Sequence, residues 1–199
     1  MEPNFWDERF TGEEYIYGKA PNTFIKECID RLLPGSILFP GEGEGRNAVY
    51  AAEKGFDVTA CDQSVVGRKK AQELAALKQV RMTYDLCSVV EMPYAQSSFD
   101  AIALSYIHVL PDIRPRFHSM VQRILKPGGH LVFEFFHPEQ LGNSSGGPKR
   151  EDMLYTTEMM KEEFPKVVFS ILKKETVILN EGTHHSGEAV VIRGFGVKK

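Results

Sequence analysis

Short apolar runs alternate with longer segments of helical periodicity along most of the chain. Runs such as residues 99–104 are almost wholly apolar, which predicts parallel strands covered on both faces. Between them, apolar residues recur every three or four positions, which predicts amphipathic helices. The predicted helices cover residues 21–33, 46–54, 64–78 and 112–125, and the predicted strands cover residues 36–39, 57–61, 80–84, 99–104, 131–136, 167–179 and 188–197.

This order of elements predicts an α/β fold with one doubly wound, seven-stranded, mostly parallel sheet. The last two strands, separated by residues 180–187, are expected to form an antiparallel pair. No repeat and no linker interrupts the pattern, so the 199 residues are expected to form a single domain. Residues 1–35 would form an N-terminal cover and helix, and residues 36–199 a Rossmann-like core. The patch 142–148, GNSSGGP, is either a surface loop or a mobile lid.

Composition narrows the class of protein. The net charge is −3 and the pI is near 6.1, which disfavours nucleic acid and anionic membranes as partners. No apolar run of about 18 residues occurs, and the acidic, polar first residues do not resemble a signal peptide. Three cysteines without C-x-x-C spacing indicate reduced thiols in a cytoplasmic protein. No metal site is expected, and nothing in the sequence indicates an oligomeric state.

Residues 36–64 carry the most informative motif. A short apolar run ends at three alternating glycines, Gly41, Gly43 and Gly45, and the following helix and strand end at Asp62. Such a tight turn is expected to need positive φ, which glycine adopts readily. Asp62 would stand at the end of the neighbouring strand, where a carboxylate could accept both hydroxyls of a ribose. The pattern predicts an adenosine-like ligand; the alternative is a turn that merely packs a helix on a strand.

The turn favours S-adenosyl-L-methionine over a dinucleotide. In G-x-G-x-x-G, the third glycine allows close helix packing, but Arg46 occupies that position here. Glu42 and Glu44 also place two negative charges in the turn, which disfavours a pyrophosphate at a helix N-terminus. A cofactor that carries a sulfonium and an ammonium suits these carboxylates better.

The chain resembles the class I S-adenosylmethionine-dependent methyltransferases over nearly its whole length. More narrowly, it is similar to the tellurite-resistance-type methyltransferases and their small relatives. Many class I enzymes carry an acid just before the turn, where this chain has Phe39, so Glu42 or Glu44 is expected to take over that contact. The resemblance rests on FWDERF…EYIYGKAPNTF at residues 5–24, GEGEGRNA at 41–48, Asp62-Gln63, SFDAI at 98–102, LKPGGHLVFE at 125–134 and GGPK at 146–149.

The resemblance implies a set of cofactor contacts. Asp85 would meet the adenine amino group and Leu86 would offer its backbone N–H, the alternative for Asp85 being a turn aspartate. After the fourth strand, Tyr106 and His108 either line the methionine and acceptor or pack the next helix. His137 after the fifth strand is more simply explained as a histidine satisfied by neighbouring backbone. The implied cofactor-binding residues are Tyr17, Gly41, Glu42, Gly43, Gly45, Asp62, Gln63, Asp85, Leu86, Ser105 and Tyr106.

The N-terminal segment is expected to fold over the cofactor, because it is unusually rich in aromatic residues. The alternative is that Trp6 and Phe10 plug one sheet edge. The resemblance also places a His and an Arg of the C-terminal region in the active site. The candidates are His184, His185 and Arg193; the alternative for the histidines is a solvated hairpin turn.

The predicted function is methyl transfer to a small acceptor, such as a thiol or a chalcogen oxyanion, by in-line displacement. Orientation of the two reactants can supply about 7–11 kcal/mol in such a reaction, and a general base is needed only if the acceptor must lose a proton. Two alternatives stay open: a non-catalytic module that binds S-adenosylmethionine and regulates a partner, and a nicotinamide-dependent oxidoreductase.

Overall fold

The computed structural model describes residues 5–199; the first four residues of the predicted cover, 1–4, lie outside the described residues. Seven strands form one sheet in the order β3-β2-β1-β4-β5-β7-β6. The strands are β1 (Ser36–Pro40), β2 (Asp57–Asp62), β3 (Thr83–Leu86), β4 (Phe99–Ser105), β5 (Leu125–Phe136), β6 (Val167–Glu181) and β7 (His185–Lys198).

Within residues 5–199, six α-helices flank or cover the sheet, with two single-turn 3₁₀ helices at Pro138–Gln140 and Glu151–Met153. Asn22 and Ser64 cap the second and fourth helices, since their side chains accept hydrogen bonds from the first turn. The helices are α1 (Phe5–Phe10), α2 (Thr23–Ile29), α3 (Arg46–Glu53), α4 (Val65–Leu77), α5 (Arg114–Ile124) and α6 (Thr157–Glu163).

The topology confirms the predicted fold class. Strands β1 to β5 pair in parallel, whereas β7 pairs antiparallel with both β5 and β6. One apolar cluster joins α2, α3 and α4 to one face of the sheet, and a second joins α5 and α6 to the other. The strand order reverses between β1 and β4, so their carboxyl ends form the crevice in which ligands of such sheets bind.

Several predicted boundaries are wrong. Helix α2 ends at Ile29 rather than at residue 33, and Leu33 is almost fully exposed. Strand β3 begins at Thr83 because Gln79 leaves α4 in the left-handed conformation and the chain needs residues 80–82 to reach the sheet. Strand β5 begins at Leu125, which pairs with Phe99 before an irregularity in the register.

The C-terminal hairpin also differs from its prediction. The predicted connection of residues 180–187 shrinks to residues 182–184, because both strands extend to the turn. Gly182 has a φ of +74°, which permits this tight connection. His184 therefore lies in the turn, whereas His185 is the first residue of β7 and is buried.

The N-terminal segment crosses the glycine turn rather than a sheet edge. The Phe10 ring lies against Gly43, and the Trp6 ring stacks on Phe10 with centroids 5.5 Å apart. Lys70 of α4 fastens this cover, defined here as residues 5–22, by main-chain contacts. Its ammonium donates to the carbonyl oxygens of Phe10 (3.2 Å), Gly12 (2.8 Å) and Glu14 (2.6 Å).

Within residues 5–199, no helix has the length and apolar character needed to cross a membrane. The same part of the chain contains no group of three or more His, Cys, Asp or Glu side chains that could hold a metal ion.

Candidate active site

The three glycines of the turn adopt the left-handed conformation. Their φ angles are +58° at Gly41, +59° at Gly43 and +88° at Gly45, so an L side chain would be strained at each position. A Cβ on Gly43 would lie 2.9 Å from Phe10, and one on Gly45 would collide with Ala71 of α4. In the dinucleotide motif, the third glycine allows this close helix packing. Gly45 does so here, one position earlier in the turn than the third glycine of that motif would be.

Asp62 ties the glycine turn to the start of α4. Its carboxylate accepts hydrogen bonds from the backbone N–H groups of Gly43 (3.0 Å) and Ser64 (2.9 Å). Burial raises the pKa of Asp62, although these hydrogen bonds act in the opposite direction. Gln63, by contrast, is exposed beside it. The carboxylate is therefore fixed at the end of β2 where the sequence predicts a ribose contact.

The two turn glutamates are bound within the protein. Glu42 accepts from the backbone N–H groups of Asn47 (2.7 Å) and Ala48 (2.8 Å), and burial raises its pKa to about 7. Glu44 pairs with Lys70 at 2.6 Å and accepts from the Ile16 N–H at 2.9 Å. Both carboxylates therefore already have partners.

The acid that many class I enzymes carry before the turn has no counterpart here. Phe39 is buried in the apolar cluster beneath α2 and α3. An apolar side chain is what that environment accepts, because a carboxylate there would lose its hydration without gaining a partner.

The predicted adenine contacts lie on the strand next to Asp62. Asp85 pairs in register with Cys61, and Leu86 with Asp62 itself. The Tyr94 hydroxyl donates to Asp85 at 2.9 Å, while the Leu86 side chain is exposed. The parallel pairing thus brings the predicted ribose and adenine residues to one sheet end.

The carboxyl end of β4 holds two unusual residues. The Ser105 hydroxyl oxygen is buried, and no described residue forms a hydrogen bond with it. Tyr106 has a φ of +53°, a conformation that is costly for a non-glycine residue and is concentrated at functional sites. Its hydroxyl donates to Glu134 and its ring stacks on Phe136 at 4.6 Å.

His108 and His137 are structural. His108 Nδ1 contacts the Met153 carbonyl oxygen at 2.8 Å, and its Nε2 accepts from the Phe136 N–H at 3.2 Å, so the ring is neutral. Burial lowers the pKa of His108 to about 4. His137 accepts from the Glu139 N–H, which confirms its interpretation as satisfied by neighbouring backbone.

His185 lies inside an aromatic enclosure. Its ring centroid is 4.5 Å from that of Tyr17, 4.4 Å from Tyr106 and 5.3 Å from Phe136. Its Nδ1 faces a Glu181 carboxylate oxygen at 3.8 Å. Burial lowers the pKa of His185, which keeps the ring neutral despite the nearby carboxylate. The interpretation as a solvated hairpin histidine is therefore wrong for His185.

The patch 142–148 closes the outer side of this enclosure. Gly146 approaches the His185 ring so closely that an added Cβ would lie 3.1 Å from Nε2. Ser145 donates to the Glu188 carbonyl oxygen at 2.5 Å and accepts from Gln140 at 2.9 Å. These contacts hold the patch against the hairpin as a wall of the site.

Arg46 connects three parts of the site. Its guanidinium pairs with Glu181 at 2.8 Å and donates to the Tyr17 carbonyl oxygen at 3.0 Å, so the glycine turn, the hairpin and the cover meet there. Burial would raise the pKa of Glu181, but the His185 contact and the Arg46 charge outweigh it and lower the pKa to about 2. Glu181 is therefore ionised at neutral pH.

Arg193 does not contact the histidines. It pairs with the buried Glu134 and with Glu175 at 2.8 Å, and its guanidinium lies over the Phe24 ring. Sequence reasoning missed Glu134, which also accepts from Asn22 at 2.6 Å. The sequence signal that could have identified Glu134 is its position as an acid within the apolar run at residues 131–136, because a buried carboxylate requires partners.

His184 contacts the cover. The Arg9 guanidinium donates to His184 Nδ1 at 3.2 Å and to the Tyr17 hydroxyl at 3.3 Å. The structure therefore brings together Tyr17, Tyr106 and His185 directly, and places His184 on the rim.

The residues at this sheet end suit an adenosyl cofactor. The three glycines of the turn carry no side chains, Asp62 is fixed beside them, and Ser105 offers a buried hydroxyl that has no hydrogen-bond partner among residues 5–199. S-adenosylmethionine would be held by these groups.

Comparison with known proteins agrees with this assignment. Residues 38–133 match a family model described as a methyltransferase domain. A ubiquinone biosynthesis O-methyltransferase of Alkalilimnicola ehrlichii is 30% identical over 112 residues, which cover 55% of this chain and 45% of that protein. The putative methyltransferase YqeM of Bacillus subtilis is 30% identical over 151 residues, covering 70% of this chain and 60% of that protein. The chain thus spans about half the length of the curated relatives it matches.

The fold recurs in a solved structure of TehB from Haemophilus influenzae. It superposes with a TM-score of 0.75 and 13% sequence identity, covering 99% of this chain and 67% of that one. The family match covers the glycine turn and most of β1 to β5, and its description as a methyltransferase domain agrees with S-adenosylmethionine, rather than a nicotinamide, as the cofactor. The chain therefore has the Rossmann-like fold of the class I S-adenosylmethionine-dependent methyltransferases, and its residues 38–133 match the methyltransferase-domain model.

Proposed function

We propose that the protein transfers the methyl group of S-adenosylmethionine to a small acceptor, and that the chain works as a single domain. The observation that carries this proposal is the convergence of cofactor and acceptor groups at one sheet end. Gly43 and Asp62 are hydrogen-bonded to each other there, and Tyr106 is one of the rings that enclose His185.

The cofactor supplies an already activated methyl group on a sulfonium, so the protein has to position the acceptor and exclude water. Tyr106 and Phe136 form one wall for this purpose, and Tyr17 of the cover forms another. These rings pack around the His185 ring and shield it from water. The Glu134 carboxylate fixes the Tyr106 hydroxyl and thereby the ring.

His185 is the residue we assign to proton removal. With its Nδ1 directed at the ionised Glu181, the neutral ring keeps Nε2 free to accept a proton. Glu181 then stabilises the charged imidazole that results. Such assistance contributes typically 10²–10⁴-fold, and only for acceptors that lose a proton, such as thiols.

His184 is less suited to that step. Arginine can only donate, so its contact occupies His184 Nδ1 and leaves the ring proton on Nε2. Arg193, bound to two carboxylates, acts as a positioning residue through Glu134. The similarity to tellurite-resistance-type methyltransferases supports a thiol or a chalcogen oxyanion as the acceptor.

Calorimetric titration tests the cofactor site. Wild-type protein should bind S-adenosylmethionine and S-adenosylhomocysteine with about micromolar affinity and should not bind NADH. Asp62→Ala should weaken both adenosyl ligands by at least about tenfold, since it removes a charge-assisted acceptor. Asp57→Ala, at the exposed opposite end of β2, is the matched control and should bind normally.

Turnover decides between an enzyme and a regulatory module. Labelled methyl transfer to a panel of thiols, selenite and tellurite should be detectable and should fall in His185→Gln for thiols. Tight cofactor binding without turnover of any acceptor would instead favour the regulatory module. Unchanged affinity in Asp62→Ala would overturn the site assignment itself.

A further inference from the structure

The side chain of Asn22 joins two carboxylates that belong to different strands. Its amide nitrogen donates to Glu134 of β5 at 2.6 Å and to Glu181 of β6 at 2.9 Å. An amide nitrogen carries two protons, so each carboxylate receives one of them. Asn22 is fully buried at the end of the cover, and its amide oxygen accepts from the Ile25 N–H at 2.9 Å. Contacts at both ends of the amide therefore fix this side chain.

Glu134 is the fixed side of the bridge. It is fully buried, and β5 lies between two neighbouring strands of the sheet. Its carboxylate also accepts from the Tyr106 hydroxyl and pairs with Arg193, which Glu175 holds from the other side. The Asn22 amide is thus aligned by a carboxylate that has several other partners.

Glu181 is the side of the bridge that faces the proposed base. Its Oε1 accepts from Asn22, whereas its Oε2 pairs with Arg46 at 2.8 Å and faces His185 Nδ1 at 3.8 Å. Glu181 is the last residue of β6 and leads directly into the hairpin turn. Contacts at two different oxygens fix the plane of its carboxylate, and the contact at Oε1 comes from Asn22.

We propose that Asn22 is a positioning residue for proton removal, because it aligns the Glu181 carboxylate with the His185 ring. The aligned carboxylate favours the tautomer that carries its proton on Nδ1, so Nε2 keeps the lone pair that accepts a proton. The thiol proton then passes to Nε2, and the electron pair of the S–H bond stays on the sulfur that takes the methyl group. This inference rests on the proposed function, in which His185 is the base.

NMR of the histidine ring nitrogens tests the alignment without requiring activity. In the wild-type protein at slightly alkaline pH, His185 should be neutral with its proton on Nδ1. Asn22→Ser retains an oxygen for the helix cap, but its hydroxyl has one proton and cannot serve both carboxylates. We expect a measurable share of the ring proton to move to Nε2 in this variant. A wild-type ring protonated mainly on Nε2, or an unchanged tautomer in Asn22→Ser, would overturn the proposal.

Thr156→Ala is the matched control for the NMR comparison. The Thr156 side chain caps α6 by accepting from the Met159 N–H, and it lies outside the bridge. Loss of a helix cap costs about 1 kcal/mol, so the control reports what a modest loss of stability does to the ring. It should retain the wild-type tautomer of His185.

Turnover of two thiols tests the role in proton removal. At neutral pH, 2-mercaptoethanol is largely undissociated, whereas 4-nitrothiophenol is already ionised and needs no base. In Asn22→Ser, kcat should fall about tenfold for the former and less than about twofold for the latter. A residue that only supports the fold would affect both thiols alike. Equal losses for the two thiols, or no loss for either, would therefore contradict the positioning role.

The proposed function fails separately from this inference. Wild-type protein that methylates no acceptor would contradict methyl transfer, whereas the NMR comparison would still report whether Asn22 aligns Glu181 with His185. Turnover in the wild-type protein together with an unaltered tautomer in Asn22→Ser would contradict the positioning role alone.

Discussion

The cofactor half and the acceptor half of the site are built in different ways. The cofactor half depends on contacts that are near in sequence, such as Gly43 with Asp62, 19 positions apart. The acceptor half depends on distant ones: Asn22 and Glu134 are separated by 112 positions, and Arg9 and His184 by 175. A short motif can therefore specify the cofactor, while the acceptor is specified only by the complete fold.

Variants of Glu134 and Glu175, the two carboxylates that pair with Arg193, should show how strongly the acceptor half depends on such contacts. Glu134→Ala leaves the Arg193 guanidinium without its buried partner, and we expect the free energy of unfolding to fall by about 3–5 kcal/mol. Urea denaturation measures this change. Glu175→Ala is the matched control, because it removes the more exposed partner of the same arginine and should cost about 1 kcal/mol or less. Equal losses in both variants would show that Glu134 is not the anchor.

The pKa of Glu42 offers a test in the cofactor half. Its folded-state pKa of about 7 lies above the ordinary carboxyl value, so its contribution to stability is fully present below about pH 4.5 and is lost as the pH rises towards 7. Glu42→Gln does not titrate. The wild-type protein should therefore lose up to about 3 kcal/mol relative to this variant between pH 5 and pH 8. If the free energy of unfolding changed equally with pH in the wild-type protein and in Glu42→Gln, the raised pKa would be contradicted.

Two glycines with nearly equal φ angles allow the stability cost of backbone strain to be measured apart from the cost of a packing collision. Gly45 (φ +88°) faces Ala71, whereas Gly55 (φ +87°) faces open space. Gly55→Ala should cost about 1 kcal/mol for the left-handed conformation. Gly45→Ala should cost a further 1–3 kcal/mol or so, because its methyl group collides with α4. Thermal unfolding of the two variants gives the difference, and equal costs would show that α4 yields without penalty.

The fold class could be predicted from the sequence because the patterns that indicate it lie within short segments of the chain. The alternation of apolar runs and helical segments predicted a doubly wound sheet, and the glycine spacing predicted the left-handed turn. The errors occur where the chain changes direction. Gln79 and Gly182, both with positive φ, lie where α4 ends before β3 and where the hairpin turns.

The roles of individual polar residues were harder to predict, because they depend on which partner arrives from elsewhere. His108, His184 and His185 are similar in sequence terms, yet one is a satisfied core residue, one contacts Arg9 and one lies in an aromatic enclosure. Likewise Glu42 or Glu44 was expected to contact the cofactor, but Glu44 pairs with Lys70 and Glu42 accepts from the backbone of α3. These partners are a property of tertiary structure.

The attachment of the cover has a consequence for how this protein can diverge. Lys70 holds residues 10–14 through main-chain oxygens, which every amino acid possesses. Substitutions at residues 11–14 therefore leave the attachment intact, whereas Lys70 and its partner Glu44 cannot change independently. This stretch of the cover is thus free to drift over generations without a loss of the cofactor half.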